Sequence, residues 1–279
     1  MESSDTRVAQ AVLDACRLEI QALKPGNVSV YADGHGMAAA DFLRSAECVV
    51  PILAQPGLTV GERILCSVQS SWAAVGCNTN LGIVLLAAPL CQATLTRSPG
   101  EDLPAGLRRV LAGLDVNDAS LCFQAISLAN PGGLGETPIH EVHQPAQVSL
   151  MQAMAAAADR DRIAFQYAHD YADVFGSGLP TLRHYRTRGY EPEWIAVGLY
   201  LCFLSSFHDS HVARKYGIAA AEDLRQRALP VEKRFKACEN PASSIPWLLE
   251  FDQELKQEGI NPGTSADLTV TTLLAEFLG

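Results

Sequence analysis

The sequence lacks most features that would place the protein in a membrane, on a secretory route or on a nucleic acid. Its most apolar stretch, residues 195–207, is too short to span a bilayer and has acidic residues close by on both sides. The first residues, MESSD, have neither the basic nor the apolar part of a signal peptide. A formal net charge of -10 disfavours general binding to nucleic acids or anionic membranes. We therefore expect a cytoplasmic protein with small-molecule partners.

Common motifs of metal, redox and nucleotide sites are also missing. The eight cysteines form no C-x-x-C pair, and their scatter through apolar stretches indicates free thiols instead of disulfides or a zinc site. The chain has no P-loop, no glycine pattern of a dinucleotide-binding fold and no G-x-S-x-G elbow. A bound nucleotide would have to be held by another arrangement.

What the sequence does contain is helical periodicity. Apolar residues recur every three or four positions, and no segment alternates apolar and polar residues as a half-buried strand does. A long helix is predicted from Asp159 to the glycines at 176–178. The other predicted helices cover residues 5–23, 38–53, 60–75, 83–90, 105–114, 118–129, 194–207, 220–238, 243–258 and 265–277. The fold class is therefore all-α, a single-domain helical bundle over residues 1–279, with monomer and homodimer both open.

Polar, turn-forming clusters lie between the helices at five places. They are residues 24–28 (KPGNV), 78–82 (NTNLG), 130–142, 209–215 and 261–267 (NPGTSAD). If neighbouring helices run up and down alternately, several of these ends can meet on one face and form a site. A helix start offers free N–H groups to a phosphate, although a simple helix cap is the plainer interpretation of residues 78–80 alone.

The side chains in these clusters suit a phosphate-rich ligand bound with Mg²⁺. Arginine and lysine bind phosphates, and the candidates are Lys24, Arg160, Arg162, Arg214 and Lys215. Carboxylates suit Mg²⁺, and the candidates are Glu19, Glu141, Asp159, Asp170 and Asp209. Ordinary structural alternatives exist: the charges at 159–162 as solvated pairs, Asp209 as a helix cap and Lys24 as a surface lysine.

Taken in order, the clusters resemble the triphosphoribosyl-dephospho-CoA synthase family. The matching segments are Glu19 with residues 24–28, then 78–82, 132–135 with 140–142, 159–164 (DRDRIA), 209–210 and 262–268 (PGTSADL). The resemblance implies an all-helical transferase that takes ATP and 3′-dephospho-CoA. It further implies that the triphosphoribosyl part of ATP joins the acceptor ribose 2′-hydroxyl while adenine leaves. The product would be a prosthetic-group precursor for the acyl carrier subunit of citrate lyase or malonate decarboxylase.

The resemblance also implies roles for individual residues. Such a transfer needs the leaving adenine protonated, the attacking hydroxyl deprotonated and the triphosphate held. We expect Glu19, Asp159 and Asp209 to act as the base or to bind Mg²⁺, with Glu141 and Asp170 as further metal ligands. We expect Lys24, Asn78, Asn80 and Arg162 around the phosphates. The full set expected to bind ATP and the acceptor is Lys24, Gly26, Asn27, Asn78, Thr79, Asn80, Gly82, Gly133, Gly135, His140, Arg162, Arg214, Gly263, Ser265 and Asp267.

The sequence departs from the family pattern mainly in its first loop. Asn27 and Ser29 replace the Leu and Asp of Lys-Pro-Gly-Leu-Val-Asp, and residues 35–37 (HGM) lack the Asp of His-x-Asp-Met. Residues 78–82 read NTNLG instead of NTHKG, so the chain is similar to a divergent branch that includes archaeal members. Other interpretations therefore stay open: transfer to another acceptor such as a methanopterin-like precursor, hydrolysis of or phosphoribosyl transfer from another nucleotide, or a nucleotide-binding regulator without turnover.

Overall fold

Fourteen α-helices form the part of the chain that the computed structural model describes, residues 3–131 and 144–279. A π-helical turn, Val174–Gly178, leads into α9, and a 3₁₀ turn, Pro241–Ser244, precedes α13. The helices are α1 Ser4–Gln21, α2 Ala39–Leu53, α3 Val60–Val75, α4 Leu81–Leu95, α5 Leu103–Ala112, α6 Val116–Ala129, α7 Leu150–Ala157, α8 Arg162–Ala168, α9 Leu179–Thr187, α10 Pro192–Ser206, α11 Ser210–Tyr216, α12 Ile218–Lys236, α13 Ile245–Gln257 and α14 Gly263–Leu278.

The all-α fold is confirmed. The described ranges contain two isolated β-bridges in the loop after α1, Ser29 with Ala32 and Gly34 with Met37, and no strand. No helix in these ranges is both long enough and apolar enough to cross a membrane.

Three helices, α4, α10 and α14, contribute most to the core. α4 and α10 are apolar around their whole circumference, so both are buried almost throughout. Three of the four buried threonines of α14 donate their hydroxyl to the carbonyl four residues earlier: Thr269, Thr271 and Thr272. These local hydrogen bonds let α14 pack against α1, α4 and α10 without leaving the hydroxyls unpaired.

Two tyrosines fix α8 and the turn after it to α4. Pro89 lies inside α4 and has no N–H group, so the Leu85 carbonyl four residues earlier lacks its helical donor. The Tyr167 hydroxyl donates to that carbonyl at 2.5 Å, and the Tyr171 hydroxyl donates to the Leu86 carbonyl at 2.9 Å. Both tyrosines are completely buried. These bonds hold the end of α8 and the turn after it against α4, and Ile163 at the beginning of α8 lies against Gly82 in the first turn of α4.

The long helix predicted from Asp159 is wrong. α8 begins at Arg162 and ends at Ala168, and the chain then has φ angles of 51° at Asp170 and 59° at Tyr171. A left-handed conformation at two consecutive residues cannot belong to a right-handed helix. The prediction failed because the apolar residues on both sides of the break keep helical spacing. Three short helices, α7, α9 and α11, were not predicted at all.

Candidate active site

A cavity of about 1500 Å³ lies where α4, α8, α11 and α14 begin. Part of its wall is apolar, with Met37, Phe42, Phe123, Ile126, Leu150 and Met154. Its polar wall comes mainly from the helix starts, the last turn of α1 and the loop after it, with Glu19, Asn27, Asn78, Thr79, Asn80, Asp159, Arg160, Asp161, Arg162, His211, Arg214, Asn261, Thr264 and Asp267. The described parts of all five polar clusters contribute to this lining.

Asp209 joins the beginnings of two of these helices. Its Oδ1 accepts from the backbone N–H groups of His211 and Val212 at the start of α11. Its Oδ2 accepts from the backbone N–H and the hydroxyl of Ser265 in α14, at 2.8 and 2.9 Å. Asp209 is 1% exposed and lies outside the cavity lining. Burial raises the pKa of Asp209, although the four hydrogen bonds favour its ionised form.

Lys24 forms a buried ion pair with Glu19 at the base of the cavity. The Lys24 ammonium lies 2.8 Å from the Glu19 carboxylate, and it also donates to Asn27 Oδ1 at 3.0 Å and to the Val28 carbonyl at 2.5 Å. These three partners use all three ammonium protons. Burial raises the pKa of Glu19 and lowers that of Lys24, while the ion pair opposes both shifts. Lys24 is fully buried behind the wall, so it has no donor left for the phosphate that the sequence suggested.

The arginines near α8 differ in how far they are already engaged. Arg162 binds Asp173 through two hydrogen bonds of 2.6 and 2.7 Å and lies over the Phe165 ring, so its guanidinium serves the fold more than a phosphate. Arg214 donates to Asp161 at 3.1 Å. Arg160 is exposed at the rim, and the described residues give it no ion pair.

Asp267 lies against the first turn of α4. A Cβ atom on Gly82 would meet Asp267 Oδ2 at 2.0 Å, so only glycine leaves space for this carboxyl. Within the described ranges the carboxyl has no hydrogen-bond partner. Burial raises the pKa of Asp267 well above its usual range, and Asp209, Glu19 and Asp161 raise it further while Arg214 lowers it. This raised pKa, in a carboxyl that lines the cavity, makes Asp267 a candidate for proton transfer.

The three polar residues before α4 have different environments. The Asn78 Oδ1 accepts from the Leu81 N–H, and the Thr79 hydroxyl pairs with Ser45 at 2.6 Å. Asn80 is 6% exposed, and its Nδ2 is buried without an acceptor in the described residues. Asn78 and Thr79 therefore act at least as local structural groups, whereas Asn80 retains an unused donor.

Several lining residues were not among the predicted site residues. His211 lies beside Gly263, and burial lowers its pKa to about 4, so its imidazole is neutral at pH 7. Arg225 and His208 both bind Glu222, each at 2.7 Å, at one side of the cavity. In the sequence, Arg225 looks like an ordinary partner of a carboxylate one turn away on a solvated helix. Asn261, by contrast, belongs to a polar helix entrance that the sequence did indicate.

Comparison with protein families identifies the family of the chain. The profile of the ATP:dephospho-CoA triphosphoribosyl transferase family (CitG) matches residues 5–279. The chain belongs to this family. As a member of the ATP:dephospho-CoA triphosphoribosyl transferases, it is a transferase whose substrates are ATP and dephospho-CoA, as the sequence predicted.

A solved structure supports the fold assignment of this transferase. The chain is similar to the crystal structure of a candidate triphosphoribosyl-dephospho-CoA synthase from Archaeoglobus fulgidus, with 22% identity and a TM-score of 0.62. The match covers 85% of this chain and 99% of the other. A search of curated protein sequences finds no match.

The transferase does not bring all the predicted site residues to its cavity. Ser265 is fully buried and bonded to Asp209, and Asp170 is exposed on the turn after α8, outside the lining. Gly26 has a φ of 82° and packs against Pro262, so it shapes a turn. Glu19, Asn27, Gly82, Arg162, Arg214, Gly263 and Asp267 do line the cavity. Gly133, Gly135, His140 and Glu141 lie outside the described residues.

The predicted carboxylates do not form a cage for Mg²⁺. No group of three or more His, Cys, Asp or Glu residues in the described ranges is arranged to hold a metal ion. Glu19 is paired with Lys24, and Asp209 already accepts four hydrogen bonds. Asp159 is exposed at the rim and, among the predicted ligands that line the cavity, is the one that shows no partner within the described ranges. This donor set suits a Mg²⁺ ion that arrives with substrate phosphates, which commonly has only one or two protein carboxylates.

Proposed function

We propose that the cavity binds ATP and dephospho-CoA side by side and is where the triphosphoribosyl group changes partner. The volume carries this proposal. A typical site for one small molecule occupies roughly 300–1,000 Å³, whereas this cavity has about 1500 Å³. It also combines an apolar wall, which suits a purine or a pantetheine arm, with a charged rim, which suits phosphates.

The phosphates bind at the arginine-lined rim in this proposal, not at the helix starts. Asp209 already accepts from the starts of α11 and α14, and Asp161 accepts from two N–H groups of α8. Asp267 lies against the start of α4. A phosphate at these positions would meet a carboxylate and be repelled. Arg160, for which the described residues show no ion pair, is the best-placed cation.

The charge of the lining supports a role for Mg²⁺. Five carboxylates (Glu19, Asp159, Asp161, Glu222 and Asp267) stand against four arginines (Arg160, Arg162, Arg214 and Arg225). A triphosphate therefore finds no excess of positive charge, and a divalent cation bound to it would neutralise part of its charge. Asp159 would hold that cation at the rim. Because the substrates are an adenine nucleotide and a coenzyme precursor, we also place the reaction in the cytoplasm.

The proposal is tested by measuring adenine released from ATP with and without dephospho-CoA. We expect release to require the acceptor and to fall strongly in excess chelator. Arg160→Ala should raise the KM for ATP about tenfold, since a charged hydrogen bond contributes roughly 1.5–3 kcal/mol. Arg183→Ala is the control, because Arg183 is also an exposed arginine but lies outside the cavity.

Three results would contradict this proposal. Full activity in excess chelator would remove the metal role, and equal KM values in the two arginine variants would move the triphosphate elsewhere. Adenine release that needs an acceptor other than dephospho-CoA would favour the alternative acceptor suggested by the divergent first loop. Asn27, which replaces a family leucine, lines the cavity and donates to Asn261 at 2.7 Å, so this divergence reaches the site.

A further inference from the structure

Two polar groups that have no hydrogen-bond partner in the described part of the chain lie near the first turn of α4. Asn80 is 6% exposed, and its Nδ2 has no acceptor in the described part of the chain. Asp267 has no donor to its carboxyl there, and its Oδ2 lies against Gly82, two residues after Asn80. Both residues line the cavity. A buried polar group without a partner, such as Asn80 Nδ2, costs roughly 1–3 kcal/mol, so the pair is suited to a ligand that satisfies both groups.

A hydroxyl group satisfies both partners at once. Its O–H can donate to the Asp267 carboxylate while its oxygen accepts from Asn80 Nδ2. A phosphate, which the sequence suggested for Asn80, can accept from the amide but brings negative charge against Asp267. The chemistry of the pair therefore favours an alcohol over an anion.

We propose that Asn80 and Asp267 bind the attacking ribose hydroxyl of the acceptor and that Asp267 is the general base. This inference rests on the proposed function. In the transfer, the C1′–N9 bond of ATP breaks, and its electron pair leaves with adenine, which takes up one proton from water. The acceptor oxygen forms the new bond to C1′, and its proton passes to Asp267, which returns it to solvent. Atoms and charges balance without another reactant.

The neighbours of Asp267 explain why this carboxyl, among several, can act as the base. Glu19 is compensated by Lys24, Asp209 by four hydrogen bonds and Asp161 by Arg214. Asp267 has no such compensation within the described residues. The charged groups that face it are Glu19 on α1, Asp161 before α8, and Asp209 and Arg214 at α11. A general base is most effective when its pKa is near the working pH. These surroundings raise the pKa of Asp267 from the low value of an ordinary aspartate.

The main test is Asp267→Asn. We expect kcat for adenine release to fall about 10²–10⁴-fold, the usual contribution of general acid–base catalysis. ATP binding, measured by calorimetry, should change less than threefold. The pH profile decides the role: wild-type activity should fall toward low pH as Asp267 is protonated, and the variant should lose that acidic limb.

A second test uses Asn80→Ala with two acceptors, dephospho-CoA and its 2′-deoxy analogue. We expect the variant to bind dephospho-CoA about tenfold more weakly and to bind the analogue as the wild type does. Because both residues contact one hydroxyl, the effects of Asn80→Ala and Asp267→Asn on kcat/KM should be less than additive in the double variant. Asp223→Asn is the control, because Asp223 is an exposed carboxylate on α12. This variant should change neither the affinity for dephospho-CoA nor kcat/KM.

The outcomes separate this inference from the proposed function. Wild-type adenine release with dephospho-CoA tests the function first; if another acceptor is used, the same variants are assayed with that acceptor. If the wild type turns over and Asp267→Asn stays within threefold, the inference is overturned. Loss of an alkaline limb would overturn the base role by making Asp267 a proton donor. If the wild type releases no adenine, acceptor binding still tests the inference. The inference is then overturned if Asn80→Ala and the wild type show the same ratio of affinities for dephospho-CoA and its 2′-deoxy analogue.

Discussion

At the scale of single residues, three acidic side chains in and beside the cavity differ in how their charge is balanced. Glu19 has an ammonium partner, Asp209 has four hydrogen bonds, and Asp267 has neither within the described residues. Substitution should therefore affect them differently. Removing a partner from Glu19 should harm folding, whereas neutralising Asp267 should harm turnover and spare the fold.

Lys24→Met tests the ion pair. The variant leaves Glu19 buried without its counter-charge, which typically costs about 3–5 kcal/mol. We expect this loss in the free energy of unfolding measured with urea. The double variant Lys24→Met/Glu19→Gln, which buries no charge, should recover part of it. A change below about 1 kcal/mol in the single variant would mean that the pair does not hold the first loop.

The pH dependence of stability tests Asp267. Its pKa is raised from 3.8 in the folded protein, so folding retains a proton that the unfolded chain releases. The stability from this group is present below pH 3.8 and is lost as the pH rises through the folded pKa. Asp267→Asn should therefore become more stable relative to the wild type as pH rises above about 4. Equal pH dependence in chemical denaturation of both proteins would contradict the raised pKa.

Residue types were easier to predict than residue roles. The polar clusters in family order indicated Glu19, Asn80 and Asp267, and all three line the cavity. Lys24 and Arg162 also looked like phosphate ligands. Lys24 instead binds the Val28 carbonyl and the side chains of Glu19 and Asn27. Arg162 binds the Asp173 carboxylate, eleven residues further along the chain. No local pattern encodes such a pairing, because it depends on how the loops and helix turns fold.

At the scale of elements, a side chain of α8 supplies a hydrogen bond that is missing from the backbone of α4. Its internal proline leaves the Leu85 carbonyl without a helical donor, and the tyrosine from α8 supplies one. A core helix and a site helix are thereby joined near the cavity. The sequence predicted α4 and α10 from their apolar runs. It could not predict the break after α8, where the left-handed Tyr171 is held by a hydrogen bond to α4, a helix far away in sequence.

Tyr167→Phe tests this junction, and Tyr171→Phe is the matched control. Both variants remove a buried hydroxyl donor from a carbonyl of α4. The Leu85 carbonyl would then lack any helical donor, so we expect a loss of about 1–3 kcal/mol. The Leu86 carbonyl keeps the Leu90 N–H as its helical donor. The loss of stability in Tyr171→Phe should therefore be smaller, about 0.5–1.5 kcal/mol. Equal losses in chemical denaturation would show that the proline has no part in the effect.

At the scale of the molecule, the size of the cavity predicts simultaneous binding of both substrates. A carbocyclic ATP analogue, which lacks the ribose ring oxygen and so resists cleavage at C1′, allows both sites to be filled without turnover. Each ligand at 100 times its Kd should stabilise the fold by about 2.7 kcal/mol. Together their shifts in melting temperature should be close to additive. Competition between them would mean that one shared position serves both.

The order of motifs along the chain sufficed to predict the family, and the spacing of apolar residues sufficed to predict the helical class. The placement of four helix starts around one cavity could not be predicted, because it follows from contacts between segments far apart in sequence. Asp209 and Ser265 are 56 positions apart, and Gly82 and Asp267 belong to different helices.

The carboxylates at these helix starts also bear on which small anions can compete with the substrates. Inorganic phosphate and sulfate are abundant in cells and bind readily where a helix begins. Here the chain presents its own acidic groups at those positions, through Asp161, Asp209 and Asp267. A free anion thus gains little from entering, whereas a nucleotide adds base and sugar contacts and can bring its own cation. The enzyme should accordingly tolerate phosphate-rich surroundings with little inhibition.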